Sequence, residues 1–443
     1  MKPLRHALWA LALLLCAGRP AWAALPIEHW TTEEGARVYL VSTQGLPMLD
    51  VQVDVDAGSR RDPVAQAGLA QATAQLWTRG VVSDGVRPAI DENALVEAWS
   101  DLGAQFGVSA SQDRLSFTLR TLTDPGLQAA AVALAARQMA QPAFPAAVWA
   151  RERQRLVAAW REAQTRPDHL AGRAFAAAVY GEHPYGREAT PDTWAAIEVA
   201  DMQAYARRHA RACDARVTLV GAIDRAAASE LVRALLAGWR DRACDPLPPV
   251  AEVAPLTAAR ELAIPFQAAQ AQVLIGQPGF ARADPDFLAL LVGNHILGGS
   301  GFTSRLMQEL REKRGLTYGV YSYFSPGRHA GAFTVGVQTR PDQAAQAVAL
   351  IHEELRRFVA EGPTEAELTQ AKTSLVQGFA LRLDSNRKLL DNVASLAWNG
   401  LPLDYLDTWT DRVSALTREQ VMAAMQRVLQ PGRMATVVLG GAT

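Results

Sequence analysis

One order of elements occurs twice along the 443 residues, and that repeat constrains the fold more than any single motif. In the first half, Ala36 to Val41 and Met48 to Val55 read as strands. Val51, Val53 and Val55 alternate there with Gln52, Asp54 and Asp56, the pattern of a sheet with one wet face. Helical spacing follows over Ala67 to Trp77 and Asp91 to Leu102. Next come a hairpin (Gln105 to Ala110, Leu115 to Leu122) and two long helices, Gly126 to Met139 and Pro145 to Gln164. A helix at Asp201 to Ala210 and a buried strand at Val217 to Val220 close the unit. The second half repeats the plan: strand Gln272 to Ile275, helices Phe287 to Leu297 and Ser304 to Lys313, and hairpin Val320 to Phe324 with Ala332 to Gln338. Helices Pro341 to Glu361, Thr364 to Leu381 and Arg418 to Leu429 lead to a last strand, Met434 to Leu439. Such a duplication predicts an α+β fold of two homologous domains, each an antiparallel sheet packed with several helices. Asp245-Pro246-Leu247-Pro248-Pro249 and the aperiodic residues after it mark a linker. The expected division is 24–244, a linker at 245–258, and 259–443.

The first 23 residues read as a secretory signal. Lys2 and Arg5 precede an apolar run, Ala7 to Ala17, that is too short to span a bilayer. Ala21-Trp22-Ala23 is a small-x-small cleavage site. Leu15 before Cys16 argues against a lipid anchor, and no later apolar run has membrane length, so no membrane insertion is expected after cleavage. A periplasmic or secreted location follows. A formal net charge of −1 with no long basic run excludes a nucleic-acid footprint. Cys213 and Cys244 remain in the mature chain, either as a disulfide or as two buried thiols.

Leu310-Arg311-Glu312-Lys313-Arg314-Gly315-Leu316-Thr317-Tyr318-Gly319-Val320 combines a helix end, a glycine stop and a strand start. Arg311 and Tyr318 face each other across that junction as a potential grip on a peptide carbonyl, or else are an exposed arginine and a strand tyrosine. Together with Ala67-Gly68-Leu69-Ala70, the Gly181 to Gly186 turn (Gly-Glu-His-Pro-Tyr-Gly) and Gly298 to Val320, this block resembles the insulinase-like zinc peptidases, which include pitrilysin and the mitochondrial processing peptidases. The resemblance covers nearly all of the mature chain and implies the duplicated half of a clam shell.

Active members of that family carry H-x-x-E-H after the Gly-Leu-Ala of the first helix: two imidazoles on one helical face for zinc, and a glutamate as base. Here the matching positions are Gln71, Ala74 and Gln75, and the downstream acidic pair maps onto Glu152 and Ala159. No metal is therefore expected on this chain. A zinc site assembled from His29, His169, His183 and His209 has no motif behind it, and His183 reads as a turn residue bonded to backbone. By resemblance, Arg311 and Tyr318 match the pair that binds the substrate carbonyl and steadies the oxyanion. Ser300, Gly301 and Ser304 would shape the approach, whereas Arg305, Glu309, Glu312 and Arg314 read as helix salt-bridge residues.

The resemblance thus implies a non-catalytic, substrate-binding subunit of a heterodimeric zinc metallopeptidase. Its partner would be a homologous subunit bearing H-x-x-E-H and the zinc, and its substrate an unfolded peptide. The alternative is a peptidase-derived scaffold or peptide-binding protein with no turnover. Hydrolysis by a serine or cysteine nucleophile lacks any supporting motif: there is no G-x-S-x-G, and neither cysteine has a motif context.

Overall fold

The computed structural model describes residues 26–441; the expected targeting segment, 1–23, lies outside them. Among the described residues, thirteen strands form two main sheets and one short hairpin. The first sheet contains β1 (Glu28–Thr31), β2 (Arg37–Ser42), β3 (Met48–Asp56), β6 (Gln105–Ala110), β7 (Arg114–Leu122) and β8 (Arg216–Gly221). The short hairpin is β4 (Gly80–Val81) with β5 (Ile90–Asp91). The second sheet contains β9 (Arg260–Ile264), β10 (Ala271–Pro278), β11 (Val320–Phe324), β12 (Ala332–Thr339) and β13 (Ala435–Leu439).

The strand orders prove the duplication. The first sheet runs β1-β2-β8-β3-β7-β6 and the second, read from its far edge, β9-β13-β10-β12-β11. Without β1 the two are superimposable in sequence order. Each is antiparallel except for one parallel pair, and that pair sits at the same place: β2 with β8, and β13 with β9. The final strand of each half therefore inserts beside the first one.

The halves are interlocked through an exchange of helices. Asn386–Asn399, from the second half, lies on β8, β3 and β2 of the first sheet. Pro167–Tyr180, from the first half, lies on β10 and β13 of the second. Tyr39, Val41 and Val220 accordingly share a core with Leu389, Leu390 and Val393, and Phe175 and Val179 share one with Val437 and Leu439. Neither of these helices is foreseen from the sequence, nor is β9.

The proline-rich stretch forms no helix or strand, yet it is tied down. Arg211 donates to the Asp245 carbonyl at 2.6 Å, Arg61 to that of Pro248 at 2.9 Å, and Val253 and Leu256 are buried. Its start is anchored by a disulfide between Cys213 and Cys244, whose Cα atoms are 6.4 Å apart across a sequence separation of 31. Closing a loop of that length restricts the unfolded chain, so replacing both cysteines with serine should cost about 3 kcal/mol. A urea midpoint measured for the variant, and for the reduced wild type, checks this; an unchanged midpoint in both would leave the bridge with no role in stability.

Candidate functional site

The helix Leu69–Trp77 starts where Asp62 accepts the backbone N–H groups of Gly68 and Ala70 at 2.9 and 3.0 Å. Burial pushes the Asp62 carboxyl up to about 7 against the opposing pull of those bonds. Gly68 has φ +98°, and a Cβ there would lie 2.8 Å from Ala189 and Trp194, so the helix entry demands glycine. Leu69, Ala70, Thr73, Leu76 and Trp77 face the core.

Of the three motif positions, Gln71 is exposed, Ala74 is buried and Gln75 is half-buried. The Gln75 amide donates to Glu152 Oε2 at 2.7 Å, and Arg155 approaches the same oxygen at 3.0 Å. Ala159 lies exposed farther along the Glu152 helix, Ala146–Ala163. The surviving acid is therefore held by an amide NH2 group and a guanidinium, where the H-x-x-E-H motif would place a histidine lone pair and a metal. These residues do not fit a zinc ion. Among the described residues, no group of three or more His, Cys, Asp or Glu side chains is arranged to hold one.

The histidines have other partners. His29 packs on the Tyr39 ring, and His169 sits 3.5 Å from Glu188. His183 accepts the Tyr185 N–H through Nδ1 (3.1 Å) and donates from Nε2 to the Ala251 carbonyl (3.0 Å). Burial holds its imidazole below the usual histidine range. His209, beside the Asp56 carbonyl, is pushed down to about 4 by burial.

Around Arg311 the backbone departs from a regular helix. Instead of continuous α-helix over Phe287 to Leu297 and Ser304 to Lys313, the chain makes wider π turns at His295–Gly299 and Met307–Glu312. Gly315, at φ +61°, ends the second of them, as its sequence position predicts. The loop that follows is pinned to β12: Thr317 Oγ1 donates to the Gln338 carbonyl (2.6 Å), and Thr339 Oγ1 to that of Leu316 (2.6 Å).

Arg311 and Tyr318 are brought together, but not guanidinium to phenol. Arg311 Nη1 donates to the Tyr318 backbone carbonyl at 2.7 Å, and its guanidinium stacks 4.5 Å over the Phe302 ring. The Tyr318 side chain is 85% exposed and lines a cleft of about 460 Å³ with Gly301, Met307, Tyr321 and Val337. The Tyr318 phenol thus faces outward as a donor, whereas the Arg311 fork is engaged by the Tyr318 carbonyl and, through Nε at 3.5 Å, by Glu312. Ser304 does not shape this approach: it is fully buried, its hydroxyl spent on the Gly301 carbonyl at 2.7 Å. Glu309 binds Lys313 and Arg314; burial raises its carboxyl, but these two bonds outweigh that and hold it at about 2. Arg305 binds Glu367 at 2.6 Å. Phe302 escaped sequence reasoning; the signal for it was a lone aromatic inside a glycine-rich loop.

A family model described as Insulinase (Peptidase family M16) matches residues 37–192, and one described as Peptidase M16 inactive domain matches residues 196–375. The crystal structure of a peptidase M16 inactive domain from Pseudomonas fluorescens superposes with a TM-score of 0.88 at 32% identity, covering 95% of this chain and 98% of that one. An uncharacterized zinc protease of Streptomyces coelicolor is 33% identical over 263 residues, 58% of this chain and 57% of that protein, so the match spans little more than half of that relative. The periplasmic protease PqqL from Escherichia coli shares the fold, with a TM-score of 0.80 at 18% identity over 94% of this chain and 45% of that one.

Proposed function

The chain belongs to the insulinase (M16) family of peptidases, and from that premise we propose that it binds unfolded peptide without turning it over by itself. The observation that carries this reading is the filled metal site: Gln75 bonded to Glu152, with Gln71, Ala74 and Ala159 at the remaining ligand and base positions. The disulfide removes both Cys213 and Cys244 as nucleophiles. It also supports a periplasmic or secreted location, as does the signal-like beginning of the sequence.

A second reading is favoured by one specific feature, the outward-facing Tyr318 phenol beside Arg311. In that reading the pair serves in trans. A homologous partner bearing H-x-x-E-H contributes zinc and base, and this chain supplies the donors for the substrate carbonyl. A scaffold alone has no use for such donors.

Purified alone, the protein is expected to bind a labelled unstructured peptide by fluorescence anisotropy, to carry far less than one zinc per chain by elemental analysis, and to leave the peptide intact. Stoichiometric zinc together with chelator-sensitive cleavage by the lone chain would overturn the first reading. Cleavage appearing only when the partner is added would select the second.

A further inference from the structure

Away from Arg311 and Tyr318, a cavity of about 530 Å³ opens between the two halves. The turn after β6 contributes Ser111 and Asp113 and the start of β7 Arg114, and the second half supplies the remaining walls, including Phe280, Phe287, Phe324 and Trp398. Its volume is that of a small-molecule site.

Its charges do not balance. Arg114 is paired with Asp54 at 3.0 Å. Asp113 is occupied by Arg60 (2.9 Å), by the Tyr185 hydroxyl (2.6 Å) and by the backbone N–H of Arg328 (2.9 Å). Arg282 and Arg328 also line the cavity, and neither has an ion pair among the described residues. Arg282 lies 3.6 Å over the Phe287 ring and donates only to the Tyr405 hydroxyl, at 3.3 Å. Behind the wall, Arg216 stacks 4.8 Å over Trp398, is 9% exposed, and has a buried Nε with no partner. Burial, then the charges of Arg37 and Arg328, hold the Arg216 guanidinium below its usual range. Uncompensated cations gathered at one cavity are stabilised by an anion that enters it.

The shape of the site is fixed in advance. Gly327 packs so closely that a Cβ would fall 2.6 Å from the Tyr185 hydroxyl and 2.8 Å from Asp113. The loop carrying Arg328 is thereby held by the first half, and its guanidinium lies 6.0 Å from the centre of the Trp398 ring in the cavity wall, with no side-chain hydrogen bond to any described residue. The aromatic walls need an apolar body to fill them, which a bare inorganic anion lacks.

We propose that this inter-half cavity is a binding site for a carboxylate carried on an aromatic or large apolar body, with Arg328 and Arg282 taking the carboxylate and Phe280, Phe287, Phe324 and Trp398 taking the body. Two sources share that chemistry, a free aromatic acid and the C-terminal residue of a peptide. The inference rests on the peptide-binding reading only for the second of them.

Calorimetric titration of the whole protein with N-acetylphenylalanine and with its C-terminal amide tests the site. The acid is expected to bind about tenfold or more tightly than the amide. Arg328→Gln, which breaks no internal bond, and Ser395→Trp, which fills the cavity from the Asn386–Asn399 helix, should each lower acid affinity about tenfold. Arg311→Ala should leave it unchanged. A short peptide ending in phenylalanine, with its terminus free or amidated, identifies the source: discrimination between the two forms assigns a peptide terminus, and binding of the small acid alone assigns a free acid. Equal affinity for acid and amide, no binding of the acid at millimolar concentration, or full affinity in both variants would overturn the proposal. Failure of the general peptide-binding reading leaves the small-acid result intact, so the two are separable.

Discussion

In a complex with an H-x-x-E-H-bearing homologue, replacing Arg311 with alanine is expected to lower kcat about 100- to 1,000-fold, roughly 3–4 kcal/mol of transition-state stabilisation. KM should move far less, because a donor to a developing oxyanion binds the ground-state carbonyl weakly. The loss should exceed that of Tyr318→Phe. The phenylalanine removes one donor, whereas removing the guanidinium also frees the Tyr318 carbonyl it holds at 2.7 Å and uncovers Phe302. Arg311→Lys should fall between them, since an ammonium keeps the charge but cannot hold the carbonyl and donate outward through a planar fork. All three variants should melt with the wild type, because both side chains are at the surface and Leu310 and Leu316 keep the local core. Steady-state kinetics with thermal melts separates these outcomes. Unchanged turnover in both Arg311→Ala and Tyr318→Phe would leave the pair with no part in catalysis and would favour peptide binding without turnover.

The architecture was legible where a local pattern records a tertiary environment. Val51, Val53 and Val55 alternate with polar residues because the two faces of β3 differ, but the polar face is not wet as the alternation predicts: Asn386–Asn399 covers it, leaving Gln52 5% and Asp54 1% exposed. Gly315 marks a helix end because only a left-handed residue fits there. Elsewhere the record is faint for identifiable reasons. In Pro167–Tyr180 the buried stripe is Ala171, Phe175, Ala178 and Val179, while alanines also occupy its other faces, so the stripe has no contrast. In β9 only Leu262 and Ile264 alternate, since an edge strand beside β13 buries little. The π turns at His295–Gly299 and Met307–Glu312 have no composition of their own. At the candidate site the residues of interest were visible but their partners were not. That Gln75 reaches Glu152, and that Arg311 grips the carbonyl and not the phenol of Tyr318, depends on side-chain directions that spacing does not encode.

The helix exchange makes the strongest demand on stability, and Phe175 tests it. This ring is 6% exposed and comes from a first-half helix, yet it packs on the second sheet against Gly276, where a Cβ would come within 2.8 Å of it. The Phe333 carbonyl oxygen of β12 would lie closer still, so the sheet itself demands glycine on β10 and the ring fills the space that is left. Phe175→Ala should leave a cavity that neither half can close alone, because backbone on one side and helix on the other are each fixed within their own unit, at a cost of about 3–5 kcal/mol. Phe117→Ala offers the comparison: Phe117 is buried wholly within the first half, against Trp77 and Trp239. Both variants should lower the urea midpoint. Only Phe175→Ala should also lower the apparent m-value and separate the fluorescence and circular-dichroism transitions, because it weakens the coupling between halves more than either half itself. A cost near zero, or a single sharp transition with the wild-type m-value, would mean that the exchanged helices follow the sheets without holding them together. The burden of the interface would then fall on Asn386–Asn399 and on the hydrogen bonds of Tyr185 and Asp113.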